Sequence, residues 1–353
     1  MFITILLTSM FILLVYYYYV RYGRNGRLVN LLPGPPGHSI AGNALQAYIS
    51  AEEQWKLMCN LSNKYYPIFK FRIFFIYSVA IRHPNDLETI LSNTKRTEKS
   101  HIYNLFQPWI STGLLTSTGA KWHARRKLLT NAFHFNVLTQ YADILIQEGD
   151  YMTKSLKDVG GAIVKDLVPF ISEHTLNAIC ETAMGISLRK FNEFQQYRNA
   201  VYDILELICY RALRPWFHND LLFSLSKKGR KQKTILKILH GFTEKVIAER
   251  KLYHERTNGR HLKNLENNKE TEIDVEVFGI KKRRLSMLDL LIAVSRDNSL
   301  TDLDIREEVD TFMFAGHDTT AMSMTFALLL LAEHKDIQVL FSQYIAIYTT
   351  KKK

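Results

Sequence analysis

From Thr301 onward the chain carries one helical pattern of roughly 30 residues, which at ~1.5 Å per residue spans about 45 Å, the width of a domain. No other feature restricts the fold as much, because everything else must pack around it. Thr301 is the expected N-cap, with Asp304 at the capping-box position and Glu307 and Glu308 in the early turns. Past Asp310 the pattern turns strongly apolar and continues to about Ala332. Asp310, His317 and Asp318 interrupt the run, which favours a buried soluble helix over a membrane span.

Most of the remaining chain also shows helical period, as in Ile163, Leu167, Phe170 and Ile171, or Leu205, Ile208 and Leu213. Residues 68–73 and 78–81 alternate β-branched and aromatic residues as a strand pair does. The expected fold class is therefore mainly α with a minor β-sheet. Hydrophobic residues make up 47% and charged residues 23%, which excludes a disordered tail or a collagen-like repeat. The three cysteines, Cys59, Cys180 and Cys209, form no CxxC pair, arguing against a zinc site, a redox dithiol or a disulfide scaffold.

Phe2 to Val20 contain no charged residue, and nineteen residues reach roughly 28 Å, close to the hydrocarbon thickness of a bilayer. A cleaved signal peptide wants a basic start and small residues at its end. This run ends in Tyr16–Tyr19 and no basic residue precedes it. A buried core helix is the remaining alternative. Arg21, Arg24 and Arg27 follow at once, so the positive-inside rule places the body in the cytosol and keeps the sequon at Asn60 unglycosylated. Next comes Leu31-Leu32-Pro33-Gly34-Pro35-Pro36-Gly37, which cannot be helical and reads as a stiff hinge.

Basic residues outnumber acidic ones by 46 to 34, a net charge of +12. The run Lys227–Lys237 contributes, and Glu255–Lys282 is polar with few large apolar residues before Val275. No aromatic interleaving or nucleic-acid signature accompanies the charge, so the expectation is a solvated loop near an anionic membrane surface and no nucleic-acid partner.

Two segments carry chemistry. In Thr116–Phe135, the residues Trp122, Arg126, Leu129 and Phe133 share one helical face. The indole N–H and guanidinium fork, one turn apart, suit a carboxylate at the margin of a buried, flat, apolar object; an amphipathic helix with a snorkelling arginine is the plainer alternative. The second is Ala315-Gly316-His317-Asp318-Thr319-Thr320 in the long helix. The small residues at 315 and 316 let a planar ligand approach the backbone. Thr319 can bond back to the Ala315 carbonyl and open a notch in the ladder, and Asp318 supplies an acid for relaying protons into it.

These residues resemble the cytochrome P-450 haem-thiolate monooxygenases. Residues 315–320 look like the family's oxygen-activation motif, Trp122-x-x-x-Arg126 like its haem-propionate motif, and the anchor with Pro33–Gly37 like the start of microsomal members. Gly113–Gly119, Cys180–Gly185, Lys281–Arg284 leading into Asp289–Leu291, and Glu308–Phe314 are similar to the fatty-acid ω-hydroxylase branch and its insect relatives. The resemblance implies haem b as cofactor, Trp122 and Arg126 on its propionates, Ala315 and Gly316 against it, and Asp318 and Thr319 delivering protons. It also implies a lipophilic substrate such as a fatty acid, electrons from an NADPH-dependent flavoprotein reductase, and an endoplasmic reticulum membrane location. Phe106, Trp109, Phe314 and Phe326 are candidates for the substrate pocket or for plain core. Ala315 stands where many ω-hydroxylases carry a glutamate esterified to haem, so binding is expected to be non-covalent.

The resemblance runs from Met1 to about Gln338, giving an anchor (1–20), a basic and Pro/Gly hinge (21–37), a partial monooxygenase domain (38–338) and a divergent tail (339–353). The family's iron-ligating cysteine loop has no counterpart, and no metal-ligating residue is assigned. None of the three cysteines replaces it by local context, and sulfur donation is what drives O–O cleavage. The expectation is a truncated or mis-spliced product without activity. The strands near 68–81 would then keep an exposed edge, and the long helix would lose partners on one side. Other readings are a non-catalytic membrane-anchored helical protein binding apolar ligands or a partner, and an enzyme using His123 or His317 as axial ligand.

Overall fold

The computed structural model describes residues 2–93, 98–161, 164–190, 193–258, 286–297 and 299–350. Ile163, most of the polar stretch after Glu255, Val275 and the Lys281–Arg284 motif lie outside the described residues. The chain order begins α1 (Phe2–Tyr22), α2 (Arg24–Asn30), α3 (Ala44–Ala47), α4 (Ala51–Lys64), β1 (Ile68–Ile73), β2 (Ile76–Ile81), α5 (Pro84–Leu91) and α6 (Gln107–Ile110). It continues with α7 (Gly119–Thr130), α8 (Phe135–Lys157), α9 (Leu167–Ala183), α10 (Phe194–Ala212), α11 (Asp220–Ser224) and α12 (Lys227–Arg256), and ends with α13 (Met287–Ser295), α14 (Asp302–Glu333) and α15 (Lys335–Thr350). The fold is mainly helical with a small two-stranded sheet, as the patterning implied. The chain divides into two compact units, Met1–Glu98 with Leu207–Ser226, and Lys99–Glu206 with Lys227–Lys353.

In the first unit, β1 and β2 pair antiparallel with Ile68 opposite Ile81 and Ile73 opposite Ile76. The outer edge of β1 is covered, whereas β2 pairs with β1 alone among the described residues, so the exposed edge expected of the strand pair is that of β2. Lys70 N donates to the Pro33 carbonyl at 2.8 Å, Asn43 N to the Arg72 carbonyl, and Arg72 N to Asn43 Oδ1 at 3.0 Å. The proline segment is thus non-helical, as expected, and stitched along the strand rather than standing free as a hinge. Proline supplies no amide but keeps its carbonyl, which is the group β1 needs there. Gly34 is required for this approach, since a Cβ would sit 2.4 Å from the Lys70 carbonyl oxygen.

Among the described residues no helix is long and apolar enough to cross a membrane. The helix α1 does form over the uncharged run, and its apolar residues face outward, with Ile3, Leu7, Phe11 and Leu14 all more than half exposed. The side chains of Phe2, Ile5, Leu6 and Ser9 lie outside the described set.

The second unit is organised on α14. Thr301 caps it with the full capping box, its hydroxyl accepting from Asp304 N while the Asp304 carboxylate accepts from Thr301 N. Ile305, Val309, Met313, His317 and Ala321 recur every fourth residue and are all buried, forming the seam to the rest of the unit. Its most extensive partner is α9, itself flanked by α8, while α12, α13 and α6 close other sides. The seam ends at Thr325, and beyond it the burial fades. Phe326 and Leu328–Leu330 are 43–55% exposed, a run of large apolar side chains that nothing described in this chain covers.

The basic run Lys227–Lys237 is not a loop. It is the first third of the 30-residue helix α12, on which Gly229, Gln232, Ile235 and Leu239 are buried at helical spacing. Lys228 and Lys231 reach Glu206 and Asp203 at 3.3 and 2.9 Å, so the lysines decorate the outer face of an amphipathic helix whose narrow buried stripe is hidden by their number. Two of the motifs are joined structurally: Arg250 on α12 clamps both carboxylate oxygens of Asp289 at 2.6 and 2.7 Å and donates to the Gly185 carbonyl at 2.7 Å.

Candidate functional site

The motif of residues 315–320 sits in the middle of α14, which stays α-helical throughout. Thr319 is exposed, and its hydroxyl donates to the Ala315 carbonyl at 2.5 Å, the expected back-bond. Ala315 is half-buried one turn before it. Asp318 is half-buried too, and loss of solvent pushes its carboxyl above the usual range.

Gly316 and His317 point elsewhere. A Cβ at Gly316 would meet the Ile179 side chain at 2.6 Å, so the close approach expected of a planar ligand is made by α9 instead. His317 is fully buried, with Nε2 2.5 Å from Ser172 Oγ, while Thr175 Oγ1 donates to the His317 carbonyl at 3.0 Å. Its ring therefore pins α14 to α9, and His317 is not placed as an axial ligand. Burial, with Arg198 adding to it, lowers its pKa to about 4. The unfolded chain takes up a proton near pH 6.5 that the folded chain refuses until about pH 4, so stability falls as pH drops through that window, by roughly 3 kcal/mol in all. His317→Gln is expected to flatten this acid limb in urea titrations run from pH 7 to 4.

On α7 the observed burial differs from the expected face. Trp122 is half-buried and Arg126 exposed, whereas the fully buried positions are Arg125 and Leu129. Phe133, just past the helix, stacks on Phe312 of α14 with ring centres 5.2 Å apart. The Trp122 indole N–H and the Arg126 guanidinium make no hydrogen bond or ion pair among the described residues and stand one turn apart. Both donors are free for an outside acceptor.

Of the aromatic candidates, Phe106, Trp109 and Phe314 come together, with Phe314 4.8 Å from Trp109 and 6.1 Å from Phe106. Phe326 is exposed elsewhere on α14. Trp109 is buried and its indole N–H has no partner among the described residues, leaving a polar atom in an otherwise apolar cluster.

Sequence reasoning missed the charged clasp that holds α7 and the preceding loop against α14. Glu307 accepts from Thr112 Oγ1 at 3.0 Å and from Lys121 Nζ at 2.6 Å. Arg125 pairs with Asp304, and its Nε lies 3.9 Å from Glu308. Glu308 also accepts from Leu114 N at 3.0 Å, yet burial still lifts its carboxyl to about 7. A Cβ on Gly113 would meet Thr311 Oγ1 at 2.4 Å, which is why the loop needs glycine there. The available signal was Lys121 and Arg125 at i, i+4 facing three acids on the first turns of α14; those acids look like ordinary helix-dipole residues when read alone.

The cytochrome P450 family profile matches residues 32–342, so the resemblance extends slightly past Gln338 into the tail. Curated relatives include cytochrome P450 4c21 of Blattella germanica, 35% identical over 335 residues that cover 94% of this chain and 65% of that protein. Cytochrome P450 4c3 of Drosophila melanogaster is 34% identical over 95% of this chain and 63% of its own length. Cytochrome P450 4V2 of Homo sapiens is 35% identical over 85% and 56%. The chain belongs to the cytochrome P450 family, in the branch numbered 4, and spans about three fifths of the length of these relatives. The family's cofactor is haem, a flat apolar ring bearing two carboxylates. The free donor pair on α7 has the chemistry those carboxylates require.

Proposed function

We propose that the protein supplies the anchor, distal helices and proton-handling motif of a membrane-bound haem monooxygenase that hydroxylates fatty acids or other lipophilic small molecules, with O2 and electrons from an NADPH-dependent flavoprotein reductase. The observation that carries this reading is the state of α14 within a family-matched chain: Thr319 exposed and back-bonded to Ala315, with a half-buried Asp318 whose carboxyl is raised. Haem, when bound, supplies the redox chemistry. Trp122 and Arg126 would hold its carboxylates, Ala315 would leave it unesterified, and Asp318 with the Thr319 hydroxyl would hold and pass on protons at this point of α14. Phe106, Trp109 and Phe314 offer an apolar wall to a lipophilic substrate. Phe2–Val20 anchors the chain in the endoplasmic reticulum membrane, with the body cytosolic and Asn60 unglycosylated; resistance to alkaline carbonate extraction tests this.

The catalytic assignment is tested in a chimera in which a relative's proximal segment follows residue 342. With reductase present, the chimera is expected to hydroxylate a fatty acid. Thr319→Ala should leave haem content nearly unchanged and divert reducing equivalents to peroxide, and Asp318→Asn should slow turnover. Trp122→Ala or Arg126→Ala should instead lower haem occupancy, each leaving a carboxylate short of a donor worth about 1–3 kcal/mol. Unchanged coupling in Thr319→Ala would withdraw the proton-delivery role. The exposed apolar run Phe326–Leu330 favours a second reading, a non-catalytic membrane-anchored protein that uses this face for an apolar ligand or partner. A chimera that binds haem but never turns over would favour it.

A further inference from the structure

The first unit contains a polar cavity of about 310 Å³ that no role described above uses. Arg21, Lys70 and Arg72 line it, together with Tyr77, Asn30 and the Gly34 backbone; among the described residues no carboxylate does. Its wall exists because the proline segment is stitched to β1, an approach that only glycine at position 34 permits. The three cations are held in place by neutral oxygens, so their charge is positioned without being cancelled. Arg72 donates from both terminal nitrogens to the carbonyls of His38, Ser39, Ile40 and Phe74 at 2.7–3.3 Å. Lys70 Nζ donates to the Asn30 carbonyl at 2.8 Å and lies 3.4 Å from Asn30 Oδ1. Arg21 uses one terminal nitrogen, on Tyr17 Oη at 2.6 Å and the Ser39 carbonyl at 3.2 Å, and its other nitrogens have no partner among the described residues.

Three fixed positive charges around one concave space, with spare N–H donors and an aromatic hydroxyl, are complementary to a compact oxyanion with several acceptor oxygens. Burial and the neighbouring Arg72 charge lower the pKa of Lys70, a sign of mutual repulsion that a bound anion would relieve. We propose that this cavity is a binding site for a phosphate group. Its placement at the end of α1, immediately after the tyrosines at 16–19, makes a phospholipid headgroup one source of that phosphate and a soluble phosphate the other. The lipid source rests on the anchor proposed above, whereas the phosphate site does not, so carbonate extraction and phosphate binding can fail separately.

The test is equilibrium dialysis of the full 353-residue chain, in a neutral detergent, against radiolabelled inorganic phosphate. Saturable binding is expected, weakened roughly tenfold or more in Arg21→Gln/Lys70→Gln, because two charge-assisted donors are lost. Arg72 is left in place because it holds the loop. Arg24→Gln/Arg27→Gln removes the same charge from exposed positions of α2 outside the cavity and should bind like the unaltered chain. A second arm adds phosphatidic acid or phosphatidylcholine in the same micelles. Displacement of phosphate by phosphatidic acid alone supports the site with a lipid source, and no displacement by either supports it with a soluble one. Absence of saturable phosphate binding, or equal loss in both double variants, overturns the proposal.

Discussion

Reduced with dithionite under carbon monoxide, the polypeptide of residues 1–353 on its own is expected to show no thiolate-type, red-shifted Soret band. The reason lies in where its three cysteines sit. Cys180 is fully buried within α9, and burial pushes its thiol far up, so it stays protonated; a ligating or reactive cysteine needs an electropositive, accessible setting that stabilises the thiolate. Cys59 lies on α4 and Cys209 on α10, where burial likewise raises the Cys209 thiol. Sulfur donation to iron is what gives the family its characteristic band and its O–O cleavage. A red-shifted band from this polypeptide would show that one of these cysteines moves to ligate haem. The chimera carrying a relative's proximal segment is expected to show the band, which separates the lack of a thiolate among residues 1–353 from an inability of these residues to hold haem.

Arg125→Met should cost about 3 kcal/mol in urea unfolding at pH 8, near the low end for removing one partner of a buried ion pair. Arg125 is 6% exposed and faces Glu308, which is fully buried, and Asp304, which keeps its capping bonds to Thr301. The loss should shrink toward pH 6. Glu308 already titrates near 7 in the folded chain, against 4.5 ordinarily, so between those values the folded state holds a proton that the unfolded state has released. Stability contributed by this group therefore falls as pH rises through 7, and removing Arg125 raises the folded value further and steepens that fall. Arg125→Met/Glu308→Gln should recover most of the loss, because the amide still accepts from Leu114 N without a charge to bury. An Arg125→Met loss equal at pH 6 and pH 8, unaffected by Glu308→Gln, would mean that the clasp acts through packing of the arginine stem alone.

The parts of this protein legible from the chain are those governed by interactions over a few residues. The span of α14 followed from Thr301, Asp304 and an apolar pattern, because a capping box is complete within four residues. The strand pair followed from its alternation, and the non-helical course of Pro33–Gly37 from the missing amides of proline. The motif residues of α7 and α14 were recognisable because their chemistry is carried by residue type and spacing. Where they face was not: the buried side of α7 is marked by an arginine, Arg125, which sequence patterning reads as surface until its acidic partners some 180 positions away are seen.

The same holds for Gly316, His317 and the run Lys227–Lys237. A glycine permits a close approach without saying by what, and only the packing of α9 identifies Ile179 as the neighbour. A histidine beside two candidate residues looks like part of their chemistry, whereas its burial against Ser172 makes it a neutral strut. Lysines outnumber the apolar stripe of α12, so its amphipathic face emerged only when α10 supplied partners for the charges. Local rules thus determined most of the elements, the start of α12 excepted, since caps, turns and periodicity are short-range. Tertiary structure alone decided which face each element buries, because burial is set by the neighbour's surface, and the neighbour is distant in the chain.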